Sequence, residues 1–255
     1  MENNTPDTVL APATGTLVKL TSPKQLLIES WTILKARWKR LVLIAALAGA
    51  PAFALAAIVF GIAFVGIAYA GFFSLAAVIL GVVLIAACLF FFSWAYAAII
   101  FVLSLPEGET ITTIDAYKKT KGHIWAMLGV TVLLALIVLG GFLLLIIPAI
   151  IFSVWYGMAR YIVVVENLSP VESLKQSRKY VDGYFWPIII RMLVILAISI
   201  GVSFVSEIIS VLISYGSTIV ADIVTVVISA VWSLYSIVYG YKVYVALKQA
   251  HTTKA

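Results

Sequence analysis

Polar and hydrophobic positions alternate along this chain in long blocks. Residues 41–106 contain no charged residue and no histidine, and residues 124–159 form a second run of this kind. A third apolar block, 192–241, is interrupted only by Glu207 and Asp222. A polar stretch with apolar residues at helical spacing precedes each block. The pattern therefore predicts an all-α chain in which amphipathic helices alternate with membrane-spanning segments.

The length of each block sets the number of spans. A spanning helix needs about 20 apolar residues to cross about 30 Å of hydrocarbon. The first block would extend roughly 100 Å as one helix, which is too long for one span. The sequence therefore predicts a polytopic integral membrane protein with six transmembrane helices in three hairpins, each preceded by an amphipathic interfacial helix. The predicted spans are 41–66, 72–104, 124–146, 148–165, 184–205 and 222–245.

The basic residues predict the orientation of these hairpins. If each block is a hairpin, all 17 Lys and Arg residues fall toward one face of the membrane. Cytoplasmic loops carry an excess of Lys and Arg, so this face is predicted to be cytoplasmic, with both termini. Residues 1–21 are then a disordered cytoplasmic tail, 22–246 a single membrane domain, and 247–255 a C-terminal cytoplasmic tail.

Similar segments precede the blocks and indicate a threefold internal repeat. Ser22 with Gln25, and Ser169 with Glu172, have the spacing of a capping box with proline at the first helical position. An offset of 147 residues aligns these two copies without a gap. A weaker copy starts at Thr112 and needs a gap of four residues after its cap. The predicted unit is an interfacial helix followed by a transmembrane hairpin.

Composition excludes most other classes of protein. The chain of 255 residues is 64% hydrophobic and only 11% charged, whereas soluble domains are about 45–50% apolar and about 25% charged. A single cysteine, Cys88, excludes an intramolecular disulfide framework and is expected to be an inert packing residue. The net charge of +6 is explained by basic residues beside anionic headgroups, and no nucleic-acid partner is predicted.

Ionisable residues in the apolar blocks are the candidate intramembrane polar sites, because a charge in hydrocarbon is costly. Arg191 lies four residues after Pro187. It is expected either to bind a lipid phosphate or anionic substrate, or to extend its guanidinium to the inner boundary of the membrane. Glu207 and Asp222 flank the connector of the last hairpin and form either a cation or proton site or a polar outer turn. Segment 208–215 is either a re-entrant or interface-lying piece or an extension of the fifth span.

Two further charges, Arg160 and Glu166, are predicted to have structural roles at the inner boundary. They are six residues apart, so they do not share a helix face and are not expected to pair. Arg160 is expected to reach headgroups or a carboxylate of another helix. Glu166 is expected in water, where the fourth span joins the next interfacial helix.

Side chains suited to catalysis are sparse in this sequence. The two histidines, His123 and His251, are far from acidic clusters, and no HExxH, GxSxG or Walker-type motif occurs. We therefore expect no enzyme, no metal and no cofactor. An intramembrane enzyme acting on lipid would require at least two of Glu166, Asp222, His123 and Arg191 to converge at a cavity.

Two functional hypotheses remain. The favoured one is a non-enzymatic membrane protein that acts as a scaffold or as a lipid- and protein-interaction module, with the lipid bilayer and other membrane proteins as partners. The alternative is a transporter or channel for a small or lipid-like solute. Arg191, Glu207 and Asp222 would line its path.

One stretch of about forty residues is similar to a known family. It runs from Leu143-Leu-Leu-Ile-Ile-Pro148 through Tyr161-Ile-Val-Val-Val-Glu166-Asn167 to Ser169-Pro170-Val-Glu-Ser-Leu-Lys-Gln-Ser177 and Gly183-Tyr184. It resembles the membrane domain of glycerophosphoryl diester phosphodiesterases and related six-span prokaryotic proteins. The resemblance implies the membrane fold and the inner membrane of a prokaryote. It does not imply the phosphodiesterase reaction, which belongs to a separate soluble domain.

Overall fold

A computed structural model describes residues 20–70, 75–106, 109 and 111–253, and their side chains except those of 52, 53, 55, 56, 59–70 and 75–78. The predicted N-terminal tail, 1–21, lies outside the described residues apart from its last two positions. The helices are α1 (Pro23–Ala70), α2 (Leu75–Ser104), α3 (Thr113–Thr120), α4 (Ile124–Leu144), α5 (Ile146–Tyr156), α6 (Ala159–Val165), α7 (Pro170–Val181), α8 (Phe185–Ser214) and α9 (Thr218–Thr252). A 3-10 turn, Lys121–His123, joins α3 to α4.

Five helical stretches in the described part of the chain are long and apolar enough to cross a membrane. They are Ile79–Ser104, Thr113–Leu144, Ile146–Val165, Phe185–Ser214 and Thr218–Thr252. Each contains most or all of one predicted span, from the second to the sixth. The predicted first span, 41–66, falls in α1, and many of its side chains lie outside the described residues.

The first amphipathic segment differs from the prediction, because it is continuous with the helix that follows. Helix α1 runs unbroken for 48 residues. In the third copy, Gly183 separates α7 from α8 and adopts a φ of 79°, a left-handed conformation that favours glycine. The 147-residue offset places Ala36 at the equivalent position of α1, where nothing interrupts the helix.

The predicted helix caps are present. Ser169 and Glu172 form a complete capping box at the start of α7, with Pro170 in its first turn. At α3, the Thr112 hydroxyl accepts a hydrogen bond from the Asp115 backbone N–H at 3.2 Å. The first copy is capped in the same way, because the N–H of Gln25 donates to Ser22 Oγ at 3.3 Å.

In the second and third apolar blocks, the observed helices differ in their boundaries from the predicted spans and C-terminal tail. The fourth span is divided into α5 and α6 by a turn at Gly157 and Met158. Segment 208–215 continues α8 without a break as far as Ser214, as an extension of the fifth span would. The predicted C-terminal tail, 247–255, begins inside α9, because Leu247 and Ala250 continue its buried stripe.

The packed core lies toward one end of the helices. Successive long helices pack most extensively in the pairs α1 with α2, α4 with α5, and α8 with α9. One buried cluster, around Leu41, Ile99 and Val238, joins α1, α2 and α9. A second, around Ile162 and Tyr244, joins α6 and α9 with α4 and α7. Apolar side chains at the opposite end are exposed, which suits helices surrounded by lipid.

Candidate functional site

Arg191 is the most deeply buried cation among the described residues, with 5% of its surface exposed. It lies in the second turn of α8. One terminal guanidinium nitrogen donates to the Pro187 carbonyl at 2.7 Å, and the other donates to the Thr21 carbonyl. The side chain therefore joins α8 to the segment preceding α1. Its Nε is buried and has no hydrogen-bond partner.

A cavity of about 440 Å³ lies beside Arg191, between the turn joining α5 to α6 and the helices α8 and α9. Its hydroxyl-bearing side chains are bonded to the protein. Ser199 donates to Ile195 O at 2.8 Å and accepts from Trp232 Nε1 at 3.0 Å. Tyr239 donates to the Arg191 carbonyl at 3.2 Å. The remaining wall is largely aliphatic. Its lining residues are Gly157, Met158, Tyr161, Arg191, Met192, Ile195, Leu196, Ser199, Ser236, Tyr239, Gly240 and Val243.

Glu166 is not in water as expected, because it is the centre of a polar cluster that joins three helices. Its side chain is only 15% exposed. Oε1 accepts hydrogen bonds from the hydroxyls of Tyr180 at 2.9 Å and Tyr244 at 2.7 Å. Lys248 Nζ lies 3.2 Å from the same oxygen. The carboxylate thus joins the end of α6 to both α7 and α9.

The hydroxyl of Tyr180 remains a hydrogen-bond donor in this cluster. Burial raises the pKa of Tyr180, and its bond to the Glu166 carboxylate raises the pKa further. Sequence reasoning missed the cluster, because Tyr180 and Tyr244 are 14 and 78 residues from Glu166. The only local sequence feature that pointed to this cluster was the spacing of Tyr244 and Lys248, which are four residues apart near the end of α9.

Arg160 lies against an aromatic ring and contacts neither a carboxylate nor Glu166 among the described residues. Its guanidinium carbon is 5.6 Å from the ring centre of Tyr96. The Tyr96 hydroxyl donates to Tyr161 Oη at 3.1 Å, so Arg160 borders a pair of bonded tyrosines. The arrangement is a cation–π contact between α6 and α2.

The structure does not bring the three candidate intramembrane charges together. Arg191 and Glu207 are 16 residues apart in α8, or roughly 24 Å along a helix. Glu207 and Asp222 are both exposed, and neither lines the cavity beside Arg191. They lie within α8 and α9, not in the turn at 215–217 that joins these helices.

The residues considered for catalysis are also separate. The described contacts of Glu166 are with tyrosines and Lys248, and none is with Asp222, His123 or Arg191. Within the described ranges, no three His, Cys, Asp or Glu side chains are grouped to hold a metal ion.

A second cavity of about 480 Å³ is lined by residues of α1, α8 and α9. It is almost entirely apolar, and the rings of Trp31 and Trp232 both contact the ring of Tyr235. The Tyr235 hydroxyl donates to the Leu27 carbonyl at 3.1 Å, which fixes α9 against α1. This cavity contains no charged side chain and has the character of a lipid-facing groove.

These helices define a multi-pass helical membrane protein. Searches of protein-family models, curated proteins and solved structures found no match.

Proposed function

We propose that this protein is a non-enzymatic membrane protein that acts as a lipid- and protein-interaction module at its basic boundary. The observation that carries the proposal is the form of α3 and α7. Each buries one face in the core and exposes lysines on the other. The exposed cations are Lys118 and Lys119 on α3, Lys121 in the turn that follows it, and Lys175, Arg178 and Lys179 on α7. Such helices hold basic side chains at the level of anionic headgroups.

The proposed architecture is six spans in three repeated units, and the burial pattern supports it. Offsets of 86 and 61 residues align four positions of the three copies, and all twelve residues are buried. They are Ser30, Ala116 and Ser177; Leu34, Thr120 and Val181; Leu41, Met127 and Ile188; and Ile44, Val130 and Arg191. The gap of four residues in the second copy agrees with the helix lengths, because α3 has 8 residues and α7 has 12.

The proposed orientation places both termini in the cytoplasm of a prokaryotic cell, with the protein in its inner membrane. It is supported by contacts that bring basic residues from distant segments to one end of the bundle. Lys242 Nζ lies 2.6 Å from Glu29, and Arg37 donates to the carbonyls of Leu105 and Pro106 at the end of α2. The resemblance to the membrane domain of glycerophosphoryl diester phosphodiesterases stays a prediction.

The interaction function can be tested by lipid selection. The protein is incorporated into vesicles of equal phosphatidylglycerol and phosphatidylcholine, extracted in mild detergent, and its bound lipid quantified. Each basic residue near an anionic surface contributes about 1 kcal/mol. A variant with all five lysines of α3, its following turn and α7 changed to Gln should therefore lose most of its enrichment in phosphatidylglycerol.

The matched control changes charge at distant positions, with Glu207→Gln and Asp222→Asn in one chain. This control should retain the enrichment, because neither carboxylate lies on α3 or α7. Equal enrichment in the five-lysine variant and the unmodified protein would refute the proposal. The same control tests the transport alternative, in which loss of both carboxylates should abolish solute flux into vesicles.

A further inference from the structure

Arg191 is a buried cation without a counter-charge among the described residues. The ion pairs there are Lys242 with Glu29 and Lys248 with Glu166, and neither involves Arg191. Carbonyl oxygens satisfy its terminal nitrogens, but they carry no net charge. Burial of a guanidinium is costly unless an anion compensates it. An anionic ligand at this position would supply the missing charge and a partner for Nε.

Comparison of the three repeated units shows that Arg191 is charged at a position where the other two units have aliphatic residues. At the equivalent buried positions, the other two copies have Ile44 and Val130, both with no exposed surface. Aliphatic side chains therefore satisfy the packing of this position in two of three units. The cation in the third unit has a cost that packing does not explain.

The cavity beside Arg191 has the size and chemistry of a site for an amphiphile. Its volume of about 440 Å³ falls in the range of roughly 300–1,000 Å³ that is usual for ligand sites. Met192 and Ile195 provide an apolar wall next to the cation. Leu196, another lining residue, is 53% exposed on the outer surface of α8, so the cavity opens toward the lipid-facing side.

We infer that this cavity binds the phosphate headgroup of an anionic amphiphile, with Arg191 as its cation and the apolar chain leaving past Leu196. The inference deepens the proposed function and rests on it, since it requires these helices to lie in a bilayer. It differs from the surface lysines of α3 and α7 in predicting one internal site that accepts a single lipid.

The experiment counts bound lipid on the purified full-length protein in detergent. Native mass spectrometry is used to titrate phosphatidylglycerol, dodecyl phosphate, phosphatidylcholine and inorganic phosphate separately. One phosphatidylglycerol or one dodecyl phosphate should bind tightly, and phosphatidylcholine should not. Arg191→Gln should weaken this binding about tenfold or more, because a charged hydrogen-bond pair is lost.

A second variant keeps the test decisive if Arg191→Gln fails to fold. Ser236→Leu adds bulk to the wall of the cavity and retains Arg191, and the lost hydroxyl is bonded only to the Trp232 carbonyl. It should weaken binding by a similar factor. Lys39→Gln, an exposed cation of α1, is the matched control and should change the affinity less than twofold.

Two results would overturn the inference. One is unchanged phosphatidylglycerol binding in both cavity variants. The other is inorganic phosphate binding as tightly as the amphiphiles, which would show that a free anion occupies the site. Neither result would affect the proposed function, because lipid enrichment by the α3 and α7 lysines is measured with separate variants.

Discussion

Gly240 is the position in α9 where a single methyl group should be most disruptive. A Cβ built there would lie 2.9 Å from Cζ of Tyr161 and closer still to its hydroxyl oxygen. Tyr161 is 5% exposed, and its hydroxyl is bonded to Tyr96 at 3.1 Å and to the Ile237 carbonyl at 3.3 Å. The ring therefore cannot move aside without losing these bonds.

The expected cost of Gly240→Ala follows from these contacts. Insertion of a methyl group at a closely packed contact costs about 1–3 kcal/mol. Displacement of the Tyr161 hydroxyl adds about 1 kcal/mol for each hydrogen bond lost. We therefore expect Gly240→Ala to lower the free energy of unfolding by about 2–4 kcal/mol.

The assay is thermal and denaturant unfolding in detergent micelles, followed by tryptophan emission. Gly201→Ala in α8 is the matched control, because a Cβ at Gly201 meets no atom within 4 Å. It should be neutral or stabilise by up to about 1 kcal/mol through helix propensity. Equal stability of Gly240→Ala and Gly201→Ala would refute the reasoning.

A double-mutant cycle identifies the clashing atom. Tyr161→Phe removes the hydroxyl oxygen that the Gly240→Ala methyl group would meet first. The two substitutions together should destabilise the protein by at least about 1 kcal/mol less than the sum of their separate effects. If the two separate effects are strictly additive, the methyl group does not act through the Tyr161 hydroxyl.

Three further predictions use the same unfolding measurement. Glu166→Ala should destabilise the protein by about 2–5 kcal/mol, because two tyrosine hydroxyls and a lysine lose their shared acceptor, whereas Glu166→Gln should cost less. Gly183→Ala should cost about 1–2 kcal/mol because its φ is 79°, whereas Gly122→Ala should be nearly neutral. Hydrogen bonds from the Ser169 side chain and backbone lower the pKa of Glu172 below its usual 4.5, so this carboxylate stabilises α7 above pH 4.5 and its contribution is lost as pH falls through the lowered pKa. The stability difference between the unmodified protein and Glu172→Gln should therefore shrink below pH 4.5, and a constant difference would contradict this account.

Local signals predicted much of the helical structure. The Ser169–Glu172 capping box fixed the start of α7, because its hydrogen bonds involve residues only three apart. Long apolar blocks placed the second to sixth spans near their observed helices, because hydrophobic length depends on composition alone. The continuity of α1 was missed, although Ala36 in place of a glycine was visible in the alignment of the copies.

Contacts between distant segments were not predictable in this way. Glu166 was expected in water because the sequence nearby contains no partner for it. Its partners lie on α7 and α9, and only the packing of those helices brings these side chains to Glu166. The sequence marked Arg191 as an unusual charge, but its bond to the Thr21 carbonyl spans 170 residues and was not predictable.

The positions of the buried and exposed charged residues along the helices bear on the proposed role. Between residues 200 and 215 of α8 and its following turn, only Ser206 is buried, and the carboxylates at 207 and 222 are exposed. A transport path would need polar groups facing the bundle interior along the whole membrane thickness. Among the described residues, the buried Arg191 and the partly buried Glu166 lie at the densely packed end, next to α3 and α7. Polar chemistry concentrated at one end of the described helices is the arrangement expected of a protein that binds headgroups there.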